Sequence, residues 1–197
     1  MFYRWSHMSK YAGLTEADEN NHDLFQFAPI PTWPKKLPPK SEWQPLELVV
    51  FEGEGSDRRR TAGLGDFIGA CPAHVISEKA ADALSDLWER YGELYPVLVK
   101  GYSDKFYVFY PTNVVDCLDY ERSAYKGQGS ERARFDVLLE FVFFEEAVGD
   151  NIIFTLPDHP HDKIYVTETF KERVKKAKLK GLQLDKKFFD PKPWKSG

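Results

Sequence analysis

Residues 73–110 read AHVISEKAADALSDLWERYGELYPVLVKGYSDKFYVFY, and this stretch decides the fold class. Ala73 to Ile76 has the length and composition of a short strand, and Ser77 follows with a side-chain oxygen suited to a helix N-terminus. Ala80, Leu84, Leu87, Trp88 and Tyr91 recur at helical spacing, so one helix is expected over 77–91, with Gly92 as a left-handed C-cap. Two β-rich runs come next, Val97–Lys100 and Phe106–Tyr110, separated only by Gly101-Tyr102-Ser103-Asp104-Lys105. A connection that short favours antiparallel neighbours. Strands that cluster along the chain, with few helices between them, make an α+β pattern.

Working outward, Leu46–Glu52 reads as a strand and residues 2–5 as a short opening strand, while Ser9 to Asp23 is polar and reads as loop. Between them lie Pro29, Pro31, Pro34, Pro38, Pro39 and Pro45, interleaved with Trp33 and Trp43. Proline removes backbone donors and fixes φ, so an extended N-terminal arm is expected, pinned to the domain by its two tryptophans. Downstream, strands are expected at Asn113–Cys117, Phe135–Phe144, Asn151–Leu156 and Lys163–Val166. Thr167 opens a second helix, 168–179, with a buried stripe of Phe170, Val174 and Ala177 and a stop at Gly181. Leu182–Phe189 then returns apolar residues to the core. The expectation is a single α+β domain, mainly antiparallel sheet, with principal helices at about 77–91 and 168–179. Its proposed divisions are an N-terminal strand and proline-rich arm over 1–45 packed on the domain, the domain itself over 46–190 and a tail over 191–197.

A chain of 197 residues, 42% hydrophobic and 29% charged, is long enough to bury its own core and too apolar to be disordered. The longest apolar run, Phe135 to Val148, is broken by Asp136, Glu140, Glu145 and Glu146, well short of the ~18 uninterrupted residues of a membrane span. Arg4, Ser6 and His7 interrupt any signal-peptide core, so a cytoplasmic protein is expected. Cys71 and Cys117 are too few for a disulfide framework and are expected to be buried, reduced thiols.

Charge is unevenly distributed. Residues 1–150 hold 25 acids against 16 bases, and residues 151–197 hold 6 against 11. The basic end, Lys171 to Lys180, reads as the solvated face of the second helix, because no aromatic stacking series accompanies it. The acidic body disfavours nucleic acid and suits a basic protein partner, whose encounter opposite fields accelerate.

The densest polar cluster is Asp116-Cys117-Leu118-Asp119-Tyr120-Glu121-Arg122-Ser123. Three carboxylates so close suit a divalent cation, but the spacing is not that of a calcium loop and Arg122 sits among them; a structural or binding role is favoured, with Asp119 or Ser123 satisfying backbone donors at a turn. Asp158-His159-Pro160-His161-Asp162 offers metal-type ligands, yet Pro160 between two strands fits a turn better. His7, His22 and His74 show no evident partner in the sequence, and His74 reads as a core or edge residue of its strand. Gly53-Glu54-Gly55-Ser56-Asp57 lacks the ending of a phosphate-binding loop, and no nucleophile elbow is present.

Several phrases, in order, resemble a family of bacterial immunity proteins encoded beside polymorphic toxins, formerly known only as a domain of unknown function. They are Gly65-Asp66-Phe67, Val75-Ile76-Ser77-Glu78-Lys79-Ala80, Glu93-Leu94-Tyr95-Pro96, Asn113 to Ser123, Lys163-Ile164-Tyr165-Val166 and Leu179-Lys180-Gly181-Leu182. The most telling is Leu118-Asp119-Tyr120-Glu121-Arg122-Ser123, and the resemblance spans about residues 46–184. It implies a non-catalytic protein that binds and blocks a cognate toxin domain in the bacterial cytoplasm, without a cofactor. Asp116, Asp119, Glu121 and Tyr125 are the expected partner-binding residues, with Glu52, Glu54 and Asp57 as a second patch. Two other readings stand beside this one: a metal-dependent hydrolase built on Asp116–Glu121 and His159/His161, and a scaffold module acting through the Pro29–Pro45 arm.

Overall fold

The computed structural model describes residues 1–18, 22–27, 37–51, 63–126, 137–157 and 164–186. Its strands are β1 (Phe2–His7), β2 (Gly13–Glu16), β3 (Leu46–Phe51), β4 (Phe67–Ala70), β5 (Ala73–Ser77), β6 (Gly92–Val99), β7 (Phe106–Pro111), β8 (Ala124–Lys126), β9 (Val137–Glu140), β10 (Ile153–Phe154), β11 (Tyr165–Thr167) and β12 (Leu182–Asp185). The α-helices are α1 (Glu78–Ala83), α2 (Ser85–Tyr91), α3 (Glu145–Val148) and α4 (Glu168–Lys176). A six-stranded sheet runs β2-β3-β6-β7-β5-β4, a four-stranded sheet β10-β11-β1-β12, and β8 pairs with β9. All pairings are antiparallel except β3 with β6. This is the expected α+β architecture with a mixed, largely antiparallel sheet.

The six-stranded sheet is covered on both faces, which is why β5 carries no polar alternation. Ile76, Phe67 and Phe109 face one side, against Leu84, Leu87 and Trp88 of the α1–α2 stretch and Phe170 of α4. Val75, Ile68 and Val108 face the other, against Leu14, Leu24 and Phe27. Trp5 of β1 is the pivot of the first core. Fully buried, it lies nearly parallel to Phe109 at 6.1 Å, stacks on Phe170 at 5.6 Å and meets the edge of Phe67 at 5.1 Å. Rings at these offsets add attraction beyond their burial. A third core gathers Phe143, Phe154 and Tyr165 beneath β10 and β11.

The helix expected over 77–91 is two helices. Ser77 caps α1 as anticipated, its hydroxyl accepting from the Ala80 N–H at 3.2 Å. Leu84 then leaves the helical region at φ −127°, ψ 27°, and the Trp88 indole N–H donates to the Ala80 carbonyl at 3.0 Å. Gly92 is not a left-handed cap, for its φ of 178° is extended. Its reason is steric: a Cβ there would lie 2.4 Å from both the Phe109 ring and the Tyr110 carbonyl oxygen. The second helix stops at Lys176, three residues before the expected end.

Three strand readings also need correction. Residues 9–23, read as loop, contain β2, which pairs with β3. The run Phe135–Phe144 is not one strand: β9 ends at Glu140, and the chain changes partner so that Phe143 bridges Leu118. Asn113–Cys117 contributes a single parallel bridge, Val114 to Thr155. Of the arm's tryptophans, Trp33 lies outside the described residues. Trp43 packs edge-on against Tyr95 at 5.0 Å and donates its indole N–H to the Pro96 carbonyl at 2.7 Å. Cys117 is buried and reduced, but Cys71, expected to be buried, is exposed.

Candidate functional site

The Asp119 segment folds as a turn held by its own side chains. Residues 117–119 run antiparallel to 142–144: the Asp119 N–H donates to the Val142 carbonyl at 2.8 Å, and the Phe144 N–H to the Cys117 carbonyl at 2.9 Å. The chain then reverses. One carboxylate oxygen of Asp119 accepts from the N–H groups of Glu121 and Arg122, both at 3.1 Å, and the other accepts from the Arg122 guanidinium. An aspartate satisfying donors two and three residues on gives the backbone a ready-made turn. The Arg122 guanidinium, with the two N–H donors, holds the Asp119 carboxyl below the usual carboxylate range. Ser123 closes the turn: its N–H donates to the Asp119 carbonyl and its hydroxyl accepts from the Val142 N–H, both at 3.0 Å.

Asp119 is therefore buried with its carboxylate turned inward, whereas Asp116, Glu121 and Tyr125 stand on the surface around it. Glu52, Glu54 and Asp57 lie outside the described residues, as do His159 and His161. Beneath the turn the Cys117 thiol is pushed up to about 12, by burial first and the Asp116 charge second. Alongside it an open cleft of about 470 Å³ is lined by Arg122, Phe144, Glu145 and Glu146. The sequence reading passed over Phe144, Glu145 and Glu146. Their signal was the interruption of an apolar run by two adjacent acids directly after an aromatic residue.

A second polar junction ties three other phrases together. Asp66 accepts from the Ser77 hydroxyl at 2.9 Å and from the Lys180 N–H at 2.8 Å, with the Lys79 ammonium 3.6 Å away. The N–H groups of Asp66 and Phe67 both donate to the Lys180 carbonyl. Gly65-Asp66-Phe67, Ser77-Glu78-Lys79 and Lys180-Gly181 thus meet at one carboxylate. His7 and His74, without evident partners in the sequence, stack with centroids 5.0 Å apart and ring nitrogens at 3.3 Å, joining β1 to β5.

Nothing in this arrangement assembles a catalytic constellation from the acids of the Asp119 turn. Among the described residues no three His, Cys, Asp or Glu side chains converge as metal ligands, and the best-placed carboxylate is consumed by backbone donors. Residues 57–187, about two thirds of the chain, match the model of the immunity protein family (Imm11). The chain belongs to the Imm11 immunity family. No curated protein matches the chain by sequence. As an Imm11 protein it is a non-catalytic immunity protein with a toxin-neutralising role, and the family implies a cognate toxin as partner. A hydrolase built on Asp116–Glu121 and His159/His161 is not what the family match supports. Among the described residues no helix is long and apolar enough to cross a membrane.

Proposed function

We propose that this Imm11 protein binds its cognate toxin domain in the bacterial cytoplasm and neutralises it by steric occlusion, covering a basic toxin surface so that substrate is excluded. The observation that carries the reading is the family match over residues 57–187. The acidic residue balance of positions 1–150 supports a basic partner. The contact surface is the Asp119 turn: Asp116, Glu121 and Tyr125 meet the toxin, and Asp119 holds them in place. Glu52, Glu54 and Asp57 form the second patch. The functional unit is the domain over 46–190 together with the N-terminal strand and proline-rich arm of 1–45, whose β1 and β2 each add a strand to one of the two larger sheets, and 191–197 is a tail.

Co-expression with the toxin domain encoded beside this gene tests the proposal. Cells carrying both genes are expected to survive, whereas cells carrying the toxin alone die. Death despite abundant soluble immunity protein would refute it.

A further inference from the structure

The surface beside the Asp119 turn has a feature that the turn itself does not explain. Phe143 points inward, with its ring 5.3 Å from Phe154 and 5.1 Å from Tyr165. Phe144, the next residue along an extended segment, points the other way and is 51% exposed. Acids surround it. Glu145 and Glu146 follow directly, and all three residues line one open cleft with Arg122. The hydrogen bond from Phe144 to Cys117 brings Asp116 alongside, and Glu121 stands on the adjoining turn. Five acids are held in ion pairs: Asp66 with Lys79, Glu78 with Lys105, Asp86 with Arg173, Asp119 with Arg122, and Glu168 with Lys171. Among the described residues Asp116, Glu121, Glu145 and Glu146 form no such ion pair. Exposed carboxylates beside an exposed aromatic ring make a surface that a cation from outside complements.

We infer that the Phe144 cleft is the anchor site for an arginine-bearing loop of the toxin domain. The guanidinium lies over the Phe144 ring while the carboxylates of Glu145 and Glu146 accept its N–H donors. An arginine fits this site better than a lysine because its planar cation stacks on an aromatic face and donates in a fork that carboxylates match. Such aromatic–arginine contacts dominate the affinity of many interfaces, and the surrounding charges set the encounter rate. This inference rests on the toxin-neutralising reading and adds to it a particular anchor and the chemistry of its counterpart.

The test measures association and dissociation of the purified toxin domain encoded beside this gene, using the full immunity chain and three variants. Phe144→Ala is expected to raise the dissociation rate by about tenfold or more, as loss of an anchor does. The double variant Glu145→Gln/Glu146→Gln is expected to slow association and to flatten its dependence on salt. Leu98→Ala, which trims an exposed side chain on β6, is expected to leave both rates unchanged. If Phe144→Ala proves unstable, the double glutamine variant decides alone, since its residues are exposed and make no ion pair. Binding by wild type, with the Phe144 and Glu145/Glu146 variants within twofold of it, would overturn the anchor and leave the neutralising function standing. Failure of wild type itself to bind the toxin would overturn both.

Discussion

Asp119 is the residue at which charge and backbone geometry are most tightly joined. Its folded carboxyl is held low by Arg122 and two N–H donors. A depressed carboxyl contributes stability that is complete above its unfolded value of about 3.9 and disappears as pH falls through the lower folded value. Asp119→Asn keeps an acceptor oxygen but loses the charge. Wild type is therefore expected to melt above the variant by a constant margin from pH 5 to 8, with the gap narrowing as pH falls below about 4. Thermal melts from pH 3 to 8 check it, and a gap as wide at pH 3 as at pH 7 would contradict it. Gly181 shows a purely steric requirement. Its φ is +94°, and a Cβ there would lie 2.3 Å from the Phe67 carbonyl oxygen, where the Lys180–Gly181 turn meets Gly65. Gly181→Ala is expected to cost about 1–3 kcal/mol in denaturant unfolding, the range for a strained backbone position. The two cysteines separate cleanly by environment. Cys71 is exposed, whereas the Cys117 thiol is buried and raised to about 12. One thiol per chain should react with an aromatic disulfide reagent at pH 8 in the native protein, and the second only on unfolding.

At the scale of elements, β1 matters most for its length. It lies between β11 and β12 and delivers Trp5 to the junction of Phe67, Phe109 and Phe170. Trp5→Ala is expected to cost about 3–5 kcal/mol, the range for emptying a buried aromatic site, measured by urea unfolding. Elements with local signals were legible in the sequence. Ser77 marked the start of α1, the stripe Phe170 and Val174 marked α4, and the short connection between two β-rich runs marked β6 and β7 as antiparallel neighbours. What escaped was settled by distant contacts. β2 is four residues with one buried side chain, Leu14, and exists because β3 supplies its ladder. Phe135–Phe144 alternates well enough to be read as one long strand, but alternation does not name a partner. Past β9 the chain leaves β8 for the 117–119 segment. Leu84 carried a helical side chain in the right register while its backbone broke the helix, a departure that composition does not record.

Across the whole molecule, both ends of the described chain converge: β1 pairs with β12 through Arg4–Asp185 to His7–Leu182, and three family phrases far apart in sequence meet at Asp66. The phrases were readable in the sequence as a family resemblance. Their physical role was not, because it depends on which strands lie side by side. Asp119 was singled out as a contact residue, and the fold gives its carboxylate to the turn, with Asp116 and Glu121 exposed beside it. The central claim is that protection comes from occupying the toxin and not from altering it. Titrating the purified chain into a fixed amount of the toxin domain encoded beside its gene, while following toxin activity, tests this most directly. Activity should fall linearly to a sharp endpoint at a fixed stoichiometry, and toxin recovered from the complex under denaturing conditions should have an unchanged mass. Inactivation by a small fraction of an equivalent, or a toxin of altered mass, would contradict the claim.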